Sequence, residues 1–339
     1  DHGAQSPATT EIHLKLNSSA GMEPSFLKVS SGESVGQISR IGIGCEQLGG
    51  YQWGAVDIQE TSAAILEAVD NGLRFFDTAD CYGQGRSESL LGEILGKKRR
   101  KAVTISTKFG VRIAQDGTVQ YDNSSEWLDE ALNASLSRLN TDYIDLYQVH
   151  HWDSKRPLKE IFAQLEEKRT EGKVRYYGVS NIPIDGLREC PPGLATFSWE
   201  YSIANSSRAN LIKATASRTG CTFVAYGVLG QGVLTGKYTA NSIFQGDDRR
   251  GSERYQNFHG GKLRTNLMIV EEMKRTSVYQ NGANLPQIAI RWVLDTIPSS
   301  IALVGIKSRE HLKDALDAES LRMQPSEIEY LSAISGGSL

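Results

Sequence analysis

Four residues of this 339-residue chain, Asp77, Tyr82, Lys108 and His150, are of the types needed to deliver a proton to a carbonyl oxygen while a hydride arrives at the carbon. A free phenol titrates near about 10 and is a weak acid at neutral pH, but a neighbouring ammonium favours the phenolate and lowers that value. Lys108 is expected to act on Tyr82 in this way. Asp77 would hold the lysine charged and oriented, and His150 would hydrogen-bond the carbonyl or help pass the proton. Two of the four stand in "LRFFDTADCYGQGRSESLLG", residues 73 to 92, where an apolar run ends in acids, a thiol and a phenol before a helical rhythm resumes.

Only a fold that gathers separated strand ends can assemble such a set. Eight short β-branched or aromatic runs recur: Ser39 to Cys45, Leu73 to Ala79, Ala102 to Lys108, Tyr143 to Val149, Val174 to Ser180, Thr196 to Tyr201, Thr222 to Gly227 and Ile301 to Ile306. Amphipathic segments such as Thr61 to Asn71 and Ser124 to Leu139 separate most of them. Runs such as "YIDLYQV" are apolar at most positions, as strands covered on both faces are. The alternation predicts a parallel (β/α)8 TIM barrel, with an open doubly wound sheet as the alternative. In a barrel, side chains at the C-terminal ends of neighbouring strands, about 4.8 Å apart, converge on one point.

An N-terminal hairpin over Glu11 to Gly36, turning at "NSSAG", is expected to close the bottom of the barrel. Long loops follow the third strand (Gly110 to Asn123) and the seventh (Val228 to Arg264); loops of that length serve as lids or binding loops. Pro286 is placed for the first turn of a helix, and Ser308 for capping another. With no internal repeat or linker, residues 1–339 read as a single domain, 1–10 being disordered or a cloning remnant.

Hydrophobic residues make up 39% of the chain, charged residues 23%, and the net charge is -3, so nothing favours a polyanionic partner such as nucleic acid. No apolar run reaches the roughly 20 residues that span a bilayer, and the first residues lack a signal core, so a cytoplasmic protein with no membrane partner is expected. Cys45, Cys81, Cys190 and Cys221 are scattered and are expected to be reduced thiols. Oligomeric state leaves no signature.

Three motifs fail on inspection. "GIGCEQLGG" begins as a dinucleotide fingerprint, but Gln47 replaces the third glycine. "GQGVLTGKY" lacks the hydroxyl residue of a phosphate loop, which is Tyr238 here. His150 and His151 are expected to point to opposite sides of a strand end, so no metal is expected.

The segments "FFDTADCYGQGRSESLLG", "STKFG", "DLYQVHHWD", "GKVRYYGVSN" and "LTGKY" resemble the aldo-keto reductase family over about Ser39 to Ile334. The resemblance implies a (β/α)8 barrel that binds NADPH (NADP+) in extended form without a Rossmann domain, with Asp77, Tyr82, Lys108 and His150 as the catalytic tetrad. It further implies that Ser180 and Asn181 hold the nicotinamide carboxamide and that Tyr201 stacks on the ring. A glutamine usual beside that pair is Ser198 here. Tyr226, Gly227, Val228 and Leu229 stand where relatives read Tyr-Ser-Pro-Leu, which implies mainly backbone contacts to the pyrophosphate. Gly305, Lys307, Ser308 and His311 match the segment for the adenosine 2'-phosphate, and a cation and hydroxyl at a helix N-terminus suit a dianion. Relatives often carry Gln and Asn where His311 and Ala315 stand.

The function implied is NADPH-dependent reduction of an aldehyde or ketone, of sugar or specialised-metabolite type, with Tyr82 as general acid. Tyr51, Trp53, Trp152 and Trp199 are candidate pocket walls. Two alternatives remain open on sequence: a binding or redox-sensing module resembling potassium-channel β-subunits, and the reverse reaction, an NADP-dependent sugar or alcohol dehydrogenase.

Overall fold

A computed structural model describes residues 25–28, 34–50, 53–114, 116–187, 190–246 and 248–335. Strands β1 (Ser25–Lys28) and β2 (Ser34–Ile38) pair antiparallel. They form the expected N-terminal hairpin but flank residues 29–33, a shift from a pairing centred on "NSSAG". That stretch and residues 1–10 lie outside the described residues.

Each of the eight expected runs supplies one barrel strand. They are β3 (Ile41–Gly44), β4 (Phe75–Asp77), β5 (Thr104–Phe109) and, after a hairpin of β6 (Val111–Ile113) and β7 (Val119–Tyr121), β8 (Ile144–Val149), β9 (Val174–Ser180), β10 (Leu194–Glu200), β11 (Thr222–Tyr226) and β12 (Ser300–Gly305). All neighbours run parallel, and β12 pairs with β3 to close the ring. The alternative of an open sheet is therefore excluded.

Helices cover the ring because their apolar residues recur on one face. In Ile58–Asp70 the buried positions are Thr61, Ala64, Ile65, Ala68 and Val69, and the Asp57 carboxylate accepts the first free backbone N–H groups. Asn284 and Gln287 form a capping box at the start of Leu285–Thr296, with Pro286 in the first turn as expected. Inside the ring, Ile38 of the hairpin packs with Phe75, Leu146, Ala195, Val224, Ile301 and Leu303, so the hairpin plugs the lower end.

Both long connections carry structure. The first folds as the β6–β7 hairpin. The second makes three 3-10 turns, Gly230–Thr235, Arg249–Gly251 and Gln256–Phe258, and its helix begins at Gly260, four residues before the expected end of the loop. Among the described residues no helix is long and apolar enough to cross a membrane, and all four cysteines are free.

Candidate active site

Register places the polar groups at one end of the ring. Gly44, Asp77 and Ser106 lie side by side on β3, β4 and β5, and Lys108 pairs with Gln148 across β5 and β8. Lys108 Nζ donates to Asp77 Oδ1 at 2.5 Å and to the Thr78 carbonyl at 2.7 Å, both groups buried. Ser106 donates to Asp77 Oδ2 at 2.8 Å, Gln148 Nε2 donates to Ser106 at 2.7 Å, and Ser198 donates to Gln148 Oε1 at 3.1 Å. This buried polar layer fixes the carboxylate, and the carboxylate fixes the ammonium. Ser198 belongs to it.

Tyr82 follows β4 in a tight turn. The Lys108 ammonium lies 5.1 Å from the centre of its ring, and the His150 ring stands edge-on to it with centroids 5.8 Å apart. The tetrad expected from sequence is thus brought together from three strand ends. Its electrostatics differ from expectation: burial, then the negative charges of Glu46 and Asp77, push the Tyr82 phenol well above its ordinary range. The Lys108 ammonium donates to Asp77 and the Thr78 carbonyl, and burial outweighs its charge at the phenol. Tyr82 is consequently a protonated group at neutral pH, the state a proton donor needs. Burial and the Lys108 charge hold His150 well below the usual imidazole range, so it is neutral.

His150 and His151 do not diverge as expected. Their rings stack with centroids 5.1 Å apart, and His151 stacks in turn on Tyr121 of the β6–β7 hairpin at 4.8 Å. Asn181, in a left-handed conformation at φ 61°, donates to the His150 carbonyl at 3.4 Å and to Ser180 Oγ at 3.2 Å. Tyr226 Oη donates to Asn181 Oδ1 at 2.5 Å.

A cavity of about 820 Å³ opens beside Asp77 and Tyr82, with Lys108 and His150 set back from its lining. Asp77 and Tyr82 line it, Tyr226, Gly227 and Leu229 form one wall, and Gly305, Lys307 and His311 are also in its lining. Tyr201 does not reach it. That ring is 1% exposed, stacks on Trp292 at 5.3 Å and donates to Thr296, because it turns outward between the barrel and helix Leu285–Thr296. Tyr226, expected to contribute mainly backbone, lines the cavity instead. Ser308 caps helix Arg309–Ser320, accepting from the His311 N–H at 3.3 Å. Its hydroxyl hydrogen stays available to a ligand. Ala315 is fully buried against the core.

Of the expected pocket walls, Trp53 lines the cavity, Trp199 is 4% exposed in the core, and Trp152 donates to the Arg156 carbonyl away from it; Tyr51 lies outside the described residues. Glu46, Gln47, Arg249, Arg250 and Tyr255 complete the wall and were not singled out from sequence. Arg249 donates to Glu46 at 2.7 Å across a separation of 203 residues, and lies 4.9 Å from the Trp53 ring centre. That bond ties the loop after β11 to the turn after β3. The stretch "GDDRRGSERYQNFHGG" carries both charge signs, and sequence does not say which partner Arg249 takes.

The fit to a phosphorylated dinucleotide rests on the far end of this cavity. Lys307, half-buried, donates to the Trp53 carbonyl at 2.6 Å, and burial together with the charge of Arg250 lowers its basicity. Lys237 faces the same space, so three cations converge with Asp248 as partial offset. Such mutual repulsion is relieved by an anion.

Comparison with known proteins agrees with this geometry. The family model described as "Aldo/keto reductase family" matches residues 40–335. Aldo-keto reductase YhdN of Bacillus subtilis is 32% identical over 307 residues, 89% of this chain and 87% of that protein. An NADH-specific methylglyoxal reductase of Escherichia coli is 30% identical over 88% of this chain and 95% of its own length. Among solved structures, a glycerol dehydrogenase of Gluconobacter oxydans superposes with a TM-score of 0.79 at 28% identity, covering 90% of this chain and 93% of that one.

Proposed function

The chain belongs to the aldo/keto reductase family, and from that premise we propose that it reduces an aldehyde or ketone to the alcohol with NADPH, Tyr82 giving the proton. One observation carries the reading: a single cavity has a protonated phenol, held beside the Lys108–Asp77 pair, at one end and a group of cations around Lys307 at the other.

When bound, the cofactor supplies the hydride. The chain's own groups do the rest. Lys307, with the Ser308 hydroxyl, would hold the 2'-phosphate, and Tyr226 and Asn181 would border the nicotinamide. Tyr82 Oη donates its proton to the carbonyl oxygen as negative charge develops there, and neutral His150 offers a hydrogen bond to the same oxygen. The Lys108 ammonium, paired with Asp77, stabilises the phenolate that forms. Reversal gives alcohol oxidation with Tyr82 as base, a direction in keeping with the dehydrogenase name of the Gluconobacter relative. We read residues 1–339 as one cytoplasmic domain acting on a small carbonyl compound. Sugars and specialised metabolites are the classes to try first.

The test mixes the full chain, NADPH and a panel of aldehydes and ketones and follows loss of reduced-nicotinamide absorbance. Turnover is expected, with Tyr82→Phe lowering kcat by about 10²-fold or more while NADPH affinity holds. Absence of turnover across the panel, and of alcohol oxidation with NADP+, overturns the reading.

A further inference from the structure

The reaction leaves two groups of the "DTADCYG" turn without a task. Asp80 is 9% exposed, and neither of its carboxylate oxygens finds a hydrogen-bond partner. The nearby Glu88 carboxylate is already occupied, with Arg138 donating to it at 2.6 Å and Thr107 at 2.5 Å. A buried, unpaired carboxyl is costly, and a cation is one of the few ways to satisfy it. Beside it, Cys81 Sγ lies 3.6 Å from His150 Nδ1. One ligand atom from each of Asp80, Cys81 and His150 falls within 4.8 Å of the others.

That spacing has a chemical meaning. A tetrahedral zinc ion with bonds of about 2.3 Å to sulfur and 2.0 Å to nitrogen sets those two atoms about 3.5 Å apart. The Cys81–His150 pair already stands at this distance. The Asp80 oxygen needs to close in by about 1.5 Å at most, leaving a fourth position for water. Cys81 and His150 are partly exposed, so an ion has a route in.

We propose that Asp80, Cys81 and His150 bind a zinc ion through carboxylate, thiolate and imidazole Nδ1, at the edge of the catalytic cavity. The expectation of no metal rested on the adjacent histidines and on the scattered cysteines, whereas here one thiol, from the turn after β4, meets one of those histidines. The thiol proton leaves to solvent as the Zn–S bond forms. A mixed N, O, S set favours zinc over magnesium or calcium, which take oxygen ligands. Resting on the proposed reaction, a second consequence follows: an ion on Nδ1 commits the His150 ring and places a dication beside Tyr82, so zinc inhibits turnover.

Binding is measured apart from turnover, so the two readings fail separately. Equilibrium dialysis of the full chain against micromolar zinc, with millimolar magnesium present, should retain one zinc per chain. Cys81→Ser and Asp80→Asn should each weaken retention at least tenfold, a loss of the scale seen when a metal site is damaged. Cobalt in place of zinc should give a near-ultraviolet thiolate charge-transfer band that Cys81→Ser lacks. Should a variant fail to fold, the wild-type chain decides: zinc should protect Cys81, and not Cys190, from iodoacetamide. No retained zinc, retention unaffected by both folded variants, or no protection of Cys81 overturns the site. Bound zinc with unimpaired turnover overturns the inhibitory consequence alone.

Discussion

The backbones of Gly83 and Gly49 touch: a Cβ on Gly83, whose φ is +61°, would come within 2.5 Å of the Gly49 carbonyl oxygen and 2.6 Å of its Cα. Gly49 ends the 3-10 turn Glu46–Gly49, and Gly83 follows Tyr82, so this contact sets where the phenol stands relative to the cavity wall. Gly83→Ala should therefore lower kcat by about 10²-fold, the cost of a misplacement of about 1 Å. Gly117→Ala is the control. It shares the positive φ, at +82°, but its added methyl meets nothing within 4 Å, so it should cost stability without touching kcat. Equal kcat values for the two variants would remove the contact from the mechanism.

A second expectation concerns pH. Tyr82 is pushed well above its ordinary value by burial, Glu46 and Asp77, and His150 is pushed well below its own by burial and Lys108. Carbonyl reduction needs the phenol protonated and the imidazole neutral, so kcat should be level between about pH 6.5 and 10. Alcohol oxidation needs the phenolate, whose fraction grows about tenfold per pH unit below its pKa, so that rate should climb through the same interval. Paired pH profiles check both. A reduction rate falling by half near neutral pH would show that Lys108 does acidify Tyr82.

How much of this was readable from sequence depended on whether a feature is local. "YIDLYQV" reads as a two-sided buried strand because apolar residues occupy both faces, and so the ring of eight strands and the Asp77, Tyr82, Lys108 and His150 ends could be placed. Tyr201 and Tyr226 show the limit. They sit at the ends of neighbouring strands β10 and β11, and Tyr201 N–H donates to the Tyr226 carbonyl at 3.1 Å, yet one ring faces Trp292 and the other the cavity. Side-chain direction there is set by helix Leu285–Thr296, nearly a hundred residues on. The Glu46–Arg249 tie and the Gly49–Gly83 contact are likewise products of ring closure. The sign of the shift at Tyr82 depends on how deeply the phenol is buried, which spacing does not specify.

The opposite end of the barrel answers to stability. Near the start of β8, the Asp145 carboxylate accepts from the Ile105 N–H at 3.0 Å and from Arg175 at 3.0 Å, and pairs with Arg100 at 2.7 Å. The Arg100 and Asp145 side chains are 8% and 7% exposed, so solvent screens their pairing little. Asp145→Ala leaves a buried guanidinium without its counter-charge and should cost about 3 kcal/mol. Denaturant unfolding measures it. The specific activity of the folded fraction should be unchanged, since the change lies at the strand starts, away from Tyr82; a fall in kcat would mean that strain passes along β8 to His150.

Lys307 should decide which nicotinamide nucleotide the cavity prefers. Its ammonium is half-buried at the start of helix Arg309–Ser320, tethered to the Trp53 carbonyl and crowded by Arg250 and Lys237. A 2'-phosphate placed there would gain a charge-assisted bond worth about 1.5–3 kcal/mol, whereas a 2'-hydroxyl would gain little. Lys307→Ala should thus weaken NADPH about 10- to 100-fold and leave NADH within about threefold, narrowing or closing the gap between them. The comparison matters because the Escherichia coli relative is named as NADH-specific. Quenching of tryptophan fluorescence on titration with each cofactor reads the two constants, Trp53 being in the cavity wall. If the substitution weakens both nucleotides alike, the lysine serves to anchor the Trp53 loop, and discrimination must come from Arg250 or Lys237.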